Sequence, residues 1–185
     1  MSAMARIIIL NGAGSAGKSS IAKALQAIAT EPFLHVAMDT FLEMLPERYW
    51  NHPDTFSYRI GSEDGNPSVA IETGPLGLRL MRGMRRAIAE LARQGNNLIV
   101  DELMLAEDRA DYDQLLSEFA FFVVGVFAPL SVLEERERRR GDRMVGLARW
   151  QYDRLHIGIT YDFEVDTTKY SPMECAKLVK AKFAL

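Results

Sequence analysis

Eight residues near the N-terminus, Gly12-Ala13-Gly14-Ser15-Ala16-Gly17-Lys18-Ser19, have the types and spacing that hold a chain of phosphates. They fit G-x-x-x-x-G-K-[ST], the phosphate-binding P-loop pattern. Glycines let the backbone turn tightly and aim its N–H groups at phosphate oxygens. A helix starting near Gly17 adds the positive end of its dipole. Lys18 is placed to reach the β- and γ-phosphates and the Ser19 hydroxyl to ligate Mg²⁺. Ser20, the next residue, is counted with the same nucleotide-binding set. The flanks agree. Arg6-Ile7-Ile8-Ile9-Leu10 reads as a buried strand, and Ile21, Ala22, Leu25 and Ile28 recur at helical spacing.

Carboxylates supply the second group of candidates. Asp39 closes the apolar run Phe33 to Met38, and Asp101-Glu102 closes Asn97 to Val100. In a parallel sheet, ligands bind at the carboxyl ends of the strands. Asp39 there suits a base that accepts the proton of an attacking hydroxyl, and Asp101 suits the metal, directly or through water. Glu102 is a weaker candidate, assigned to the acceptor. The plain alternative for Asp39 and Asp101 is a helix N-cap. Arg136, Arg138, Arg139, Arg140 and Arg143 cluster further on. Glu134 with Arg138 and Glu135 with Arg139 form i,i+4 pairs that need no function. Arg140 and Arg143 flank the helix break at Gly141, as lid arginines over a transferring phosphoryl group would. Arg136 is intermediate and is placed with the nucleotide.

An acceptor pocket wants apolar and aromatic walls. Trp50 and Phe56, with Tyr58, lie in a Pro- and Gly-rich segment from 46 to 75; Phe41 and Met44, with Met38, lie beside Asp39. Taken singly, each aromatic of the segment is expected to pack it onto the body. His35 reads as a strand residue, His52 and His156 have no partner pattern, and Cys175 reads as packed on a helix.

These residues need a scaffold. Strands are expected at 5–10, 33–38, 97–101, 119–127 and 162–166, and helices at 17–29, 40–45, 76–93, 108–118, 131–139, 147–157 and 172–183. Residues 56–61 and 68–73 alternate around Glu63-Asp64-Gly65-Asn66-Pro67 like a hairpin. Strands alternating with helices imply an α/β sheet, mostly parallel, with helices on both faces. The 185 residues suit one domain. A net charge of −3 gives no global attraction for polyanions, so neither nucleic acid nor membrane is expected as a partner. One cysteine excludes an intramolecular disulfide. With no signal peptide and no bilayer-spanning run, a cytoplasmic protein is expected.

The chain resembles the chloramphenicol phosphotransferases, small P-loop kinases of antibiotic-modifying type. The matching stretches are Ile8-Ile9-Leu10-Asn11-Gly12 with the P-loop, Met38-Asp39-Thr40-Phe41, Val100-Asp101-Glu102, Arg140-Gly141-Asp142-Arg143, and Tyr161-Asp162-Phe163-Glu164-Val165-Asp166-Thr167-Thr168. The resemblance implies an ATP-dependent kinase acting on a primary hydroxyl, with the fold of nucleoside monophosphate kinases and shikimate kinase. It implies Asp39 as general base, Gly12 to Ser19 as phosphate loop and Arg140 and Arg143 as lid arginines. It also puts Thr167 and Thr168 near the adenine. The segment from Pro46 to Gly74 departs from the antibiotic enzymes.

The expected molecule is therefore a single P-loop kinase domain with five parallel strands in the order 2-3-1-4-5. It carries an acceptor-binding insert at about 46–75 and a lid at about 136–149, and it uses ATP and Mg²⁺. Lys18, Arg140 and Arg143 hold the transferring phosphoryl group and Asp39 takes the acceptor's proton. A kinase for a metabolite such as a nucleotide or sugar acid ranks lower, because only Arg48 and Arg59 lie between Thr40 and Gly74 to bind an acidic acceptor. A nucleotide-binding switch without an acceptor is the other rival, although the GTPase base-reading signature [NT]-K-x-D is absent.

Overall fold

The computed structural model describes residues 4–141 and 144–185. Its centre is a sheet of five parallel strands: β1 (Arg6–Asn11), β2 (Phe33–Ala37), β5 (Asn97–Glu102), β6 (Ala120–Phe127) and β7 (Phe163–Asp166). The spatial order is β2-β5-β1-β6-β7, with every pairing parallel. Counted within this sheet alone, that is the expected 2-3-1-4-5. Numbers 3 and 4 along the chain belong to a separate antiparallel hairpin, β3 (Phe56–Glu63) and β4 (Asn66–Thr73).

Each sheet strand alternates between two cores, because successive side chains point to opposite faces. Ile8, Leu10 and Ile99 join one core with Ile21 and Leu25 of α1 (Lys18–Ile28), Leu133 of α5 (Leu130–Arg140), Ala148 of α6 (Leu147–Tyr152) and Val179 of α7 (Pro172–Phe183). Ile7, Ile9, Leu98 and Val100 join the other, with Met84 and Ile88 of α3 (Pro75–Arg93) and Tyr112 of α4 (Ala106–Leu115). Helices thus cover both faces.

The start signals are local. Pro75 opens α3 at a position where its missing N–H costs nothing. Ser171 opens α7 with a capping box to Glu174. Gly141, at φ +67°, ends α5 one residue later than the spacing implied. The helix expected at 40–45 instead begins at Met38 and ends at Leu42, so Asp39 lies inside the first turn of α2 (Met38–Leu42) rather than at a strand end. Its N-cap is Ala37, so Asp39 is not the capping residue. The helix expected at 147–157 stops at Tyr152. Glu134 pairs with Arg149 at 2.6 Å rather than with its expected neighbour Arg138, whereas Glu135 does pair with Arg139 at 2.6 Å.

A buried ionic cluster fastens α3 to β5 and α4. Arg85, 5% exposed, meets Asp108, Asp111 at 3.0 Å and Glu102 at 3.6 Å. Removing the one cation leaves buried Glu102 and half-buried Asp108 side by side without a counter-charge, and breaking a buried ion pair costs about 3–5 kcal/mol. Arg85→Leu is therefore expected to lower the thermal unfolding midpoint sharply, and a midpoint within a few degrees of wild type would show the cluster to be dispensable.

Candidate active site

The strand register builds the site. Leu10 pairs with Asp101 and Asn11 with Glu102, so the loop leaving β1 and the acids ending β5 open at the same edge of the sheet. The loop needs its glycines. Gly17 takes φ +97°, and a side chain on Gly12 would sit 2.5 Å from the Val126 carbonyl. Asn11, fully buried, exchanges hydrogen bonds with the Met104 backbone at 2.8 and 3.1 Å, and donates to the Tyr161 hydroxyl at 2.9 Å. The base of the loop is thereby fixed from two sides.

A cavity of about 390 Å³ lies over the loop. Gly14, Ser15, Gly17, Lys18, Ser19 and Ser20 line it. Met38, Asp39, Asp101 and Glu102 line it too, as do Arg136, Arg140 and Thr167. Gly12, Ala13 and Ala16 lie beneath the loop rather than in the wall.

Three observations fit this space to phosphates. The Ser15 hydroxyl is buried with no hydrogen-bond partner. Lys18 folds back onto the carbonyls of Gly12 at 2.8 Å and Ala13 at 3.3 Å. The loop feeds directly into α1, whose N-terminal dipole end faces an anion.

Asp101 is the most elaborated carboxylate. Its Oδ2 accepts from the Ser19 hydroxyl at 2.5 Å, and Lys18 lies 3.7 Å from its Oδ1. His35 Nε2 is 3.7 Å from Oδ2, beyond hydrogen-bond reach, and is itself buried without a partner. Burial raises the Asp101 pKa, but His35, Lys18 and Ser19 together outweigh it and hold the carboxyl below its ordinary value. A charged carboxylate touching the loop serine fits a hydrated magnesium ion. Among the described residues no group of three or more His, Cys, Asp or Glu forms a closed metal cage. An ion held by Ser19, Asp101, phosphates and water needs none.

Glu102, the next residue, faces the opposite way. It is 1% exposed and forms the cavity's inner end, where the Tyr112 hydroxyl donates to it. Burial pushes its pKa up to about 7, against the hydrogen bond from Tyr112 and the charge of Arg85. Arg85 cannot hold it down further, because its closer bonds go to Asp108 and Asp111.

Arg136 donates to the Thr167 hydroxyl at 2.8 Å and to the Thr167 carbonyl at 2.9 Å, joining α5 to the turn after β7. Thr168 is turned toward Asp166 and does not line the cavity. Arg140 does line it; Arg143 lies outside the described residues.

The expected acceptor wall is placed differently. Phe41 and Phe56 pack on the core beneath α3. Met44 and Trp50 are 64% and 58% exposed, and none of the four lines the cavity. A short α2 ending at Leu42 carries Met44 past the cavity mouth, and Trp50 is tied to the Leu45 carbonyl at 3.1 Å. Sequence reasoning passed over His35 and Arg85, because a lone histidine in a strand and a lone arginine on an apolar helix face carry no spacing signal.

The model of the chloramphenicol phosphotransferase-like family matches residues 5–184. A candidate O-phosphotransferase of Mycobacterium tuberculosis is 31% identical over 178 residues, 93% of this chain and 79% of that one. Among solved structures, the APS kinase of M. tuberculosis in complex with AMPPNP and APS aligns with TM-score 0.67 at 17% identity, covering 98% of this chain and 99% of that one. A gluconokinase of Sinorhizobium meliloti aligns with TM-score 0.65 at 18% identity, covering 98% and 93%. At these identities the two structures show the fold, an α/β P-loop kinase fold.

The Glu102 carboxyl gives a pH test. Its folded pKa of about 7 stands above the ordinary value of 4.5, so the unfolded chain releases this proton first. Its contribution to stability is complete below about 4.5 and is lost as pH rises toward 7. Glu102→Gln cannot ionise. The unfolding midpoint of wild type relative to Glu102→Gln is expected to fall across that window, and a constant difference would show that Glu102 is not held protonated.

Proposed function

This chain belongs to the chloramphenicol phosphotransferase-like family, and on that premise we propose that it is an ATP-dependent phosphotransferase acting on a hydroxyl of a small molecule. The observation that carries the reading is the convergence of Lys18, the Ser19–Asp101 pair, Asp39 and Arg140 on one cavity. The domain is read as a single P-loop kinase unit. Residues 46–75 form its acceptor-side insert and 136–149 its lid.

Lys18 leaves the Gly12 and Ala13 carbonyls when phosphate oxygens replace them. Ser19 and Asp101 would hold magnesium, which when bound would offset the charge of the β- and γ-phosphates. Asp39 stands across the cavity from the loop and orients the acceptor hydroxyl. As the acceptor oxygen bonds to the γ-phosphorus, the bond to the bridging β–γ oxygen breaks and the proton passes to Asp39. Arg136 and Arg140, with Arg143 of the same lid, offset the charge that moves onto the leaving oxygen. Thr167 marks the adenine end.

The acceptor side of this cavity is acidic. Asp39 lines it with Glu102, whose pKa of about 7 leaves it only partly charged near neutrality, and Arg85 behind it is already shared among three carboxylates. Of the insert's two arginines, Arg59 pairs with Glu72 at 2.8 Å and Arg48 lies over the Tyr49 ring. This supports a neutral or cationic hydroxyl compound and disfavours a phosphorylated or sulfated one. Chloramphenicol, a neutral alcohol, is the first acceptor to try, ahead of nucleotides and sugar acids.

Asp39→Asn keeps the side chain's shape and removes the base, and a positioned base contributes about 10²–10⁴-fold. The variant is expected to lose that much in kcat for phosphoryl transfer from ATP, with nucleotide affinity nearly unchanged. Full activity would take Asp39 out of the chemistry. Arg140→Ala is expected to lower kcat more than it weakens ATP binding, since an arginine aimed at the transition state is worth about 10³-fold or more. A loss confined to ATP affinity would count against the lid role.

A further inference from the structure

One amide of the phosphate loop, that of Gly14, is engaged by a side chain far away in sequence. Gly14 is buried, and a buried N–H must find an acceptor. It donates to Oε1 of Gln151 at 2.7 Å, a residue 137 positions away in sequence. Gln151 is 4% exposed and sits on α6, between Ala148 and Leu155, both packed in the core. No motif marks it, and nothing in the proposed transfer uses it.

Helix α6 is held at its start as firmly as at Gln151. The Glu137 carboxylate, 1% exposed, accepts the N–H groups of Gly146 at 2.7 Å and Ala148 at 2.8 Å. Glu137 belongs to α5, the helix that carries Arg136 and Arg140. On its other side, the Gly146 carbonyl accepts the Val69 N–H of the hairpin at 3.0 Å. Gly146 takes φ +107°, and a side chain there would meet the Pro67 carbonyl at 2.9 Å. One short helix thus touches the lid helix, the hairpin and the phosphate loop.

We propose that Gln151 is a positioning residue for the phosphate loop, holding the Gly14 peptide so that the following amides and Ser15 are set for phosphate before nucleotide arrives. The role rests on the reading of this loop as a nucleotide site. Gln151 touches no reacting atom; it acts through Gly14. A purely structural Gln151 would support α6 alone, and its loss would lower stability without touching the loop.

Two readouts separate these roles: amide hydrogen exchange at Gly14, and binding of a non-hydrolysable ATP analogue with Mg²⁺. Gln151→Met keeps the length and burial but removes the acceptor. It is expected to cost about tenfold in Gly14 protection and about tenfold in analogue affinity, the effect of one lost buried hydrogen bond. Gln151→Glu restores an acceptor oxygen and is expected to restore Gly14 protection. Should Gln151→Met not fold, Gln151→Asn, too short to reach, carries the same expectation. Unchanged Gly14 protection, or analogue affinity within about a factor of two of wild type, overturns the positioning role. Failure of wild type itself to bind the analogue overturns the nucleotide reading, and this proposal with it, so the two failures are told apart by the wild-type measurement.

Discussion

The contact on which the rest of the site depends is the hydrogen bond from Ser19 to Asp101. It joins the first residues of α1 to the last of β5 across 82 positions of sequence, and only a parallel pairing of β1 with β5 in one register allows it. The sheet order follows the same need. With β1 at the centre, its loop lies between the ends of β5 and β6, and the cavity above it takes Asp101 and Glu102 from β5 and Arg136 and Arg140 from α5. A shift of one residue in β5 would exchange Asp101 for Glu102 or Val100 at that contact.

Alternation along β5 explains why two adjacent acids have opposite fates. Asp101 shares a face with Ile99 and meets α1; Glu102 shares a face with Val100 and meets α3 and α4. On the first face Lys18, Ser19 and His35 favour the charged carboxylate. On the second, burial dominates and the proton is retained closer to neutrality. The dipeptide is chemically symmetric in the sequence and becomes asymmetric only when the two cores form around it.

What could be read in the chain was what is local or periodic. The phosphate loop, the five sheet strands, the hairpin and the end of α5 each carry a spacing or a breaker that acts within a few residues. Asp101 and Arg140, which line the cavity, could be picked out because one stands at a strand end and the other beside a helix break, whereas Thr167 came from the resemblance and Arg136 from the arginine cluster. Arg85, His35 and Gln151 could not be picked out, since each owes its position to a partner 23 to 137 residues away. Trp50 and Met44 do not line the cavity for a related reason: aromatic and apolar character says that a side chain seeks cover, not which cover. The backbone of α2 stops at Leu42, so Met44 lies beyond the helix that carries Asp39 into the cavity wall.

The cavity's charges are divided among its elements: Lys18, Arg136 and Arg140 come from the loop, α1 and α5, and Asp39, Asp101 and Glu102 from α2 and β5, with Lys18 and Asp101 meeting at 3.7 Å. Two cations on neighbouring helices are tied up by carboxylates of their own: Arg85 by Glu102, Asp108 and Asp111, and Arg149 by Glu134. Such neutralisation matters more in this half-enclosed space than at the surface, since a charge screened poorly by solvent reaches farther. The Arg85 cluster, which fastens α3 to β5 and α4, therefore also keeps a buried guanidinium engaged behind Glu102 rather than open to the cavity.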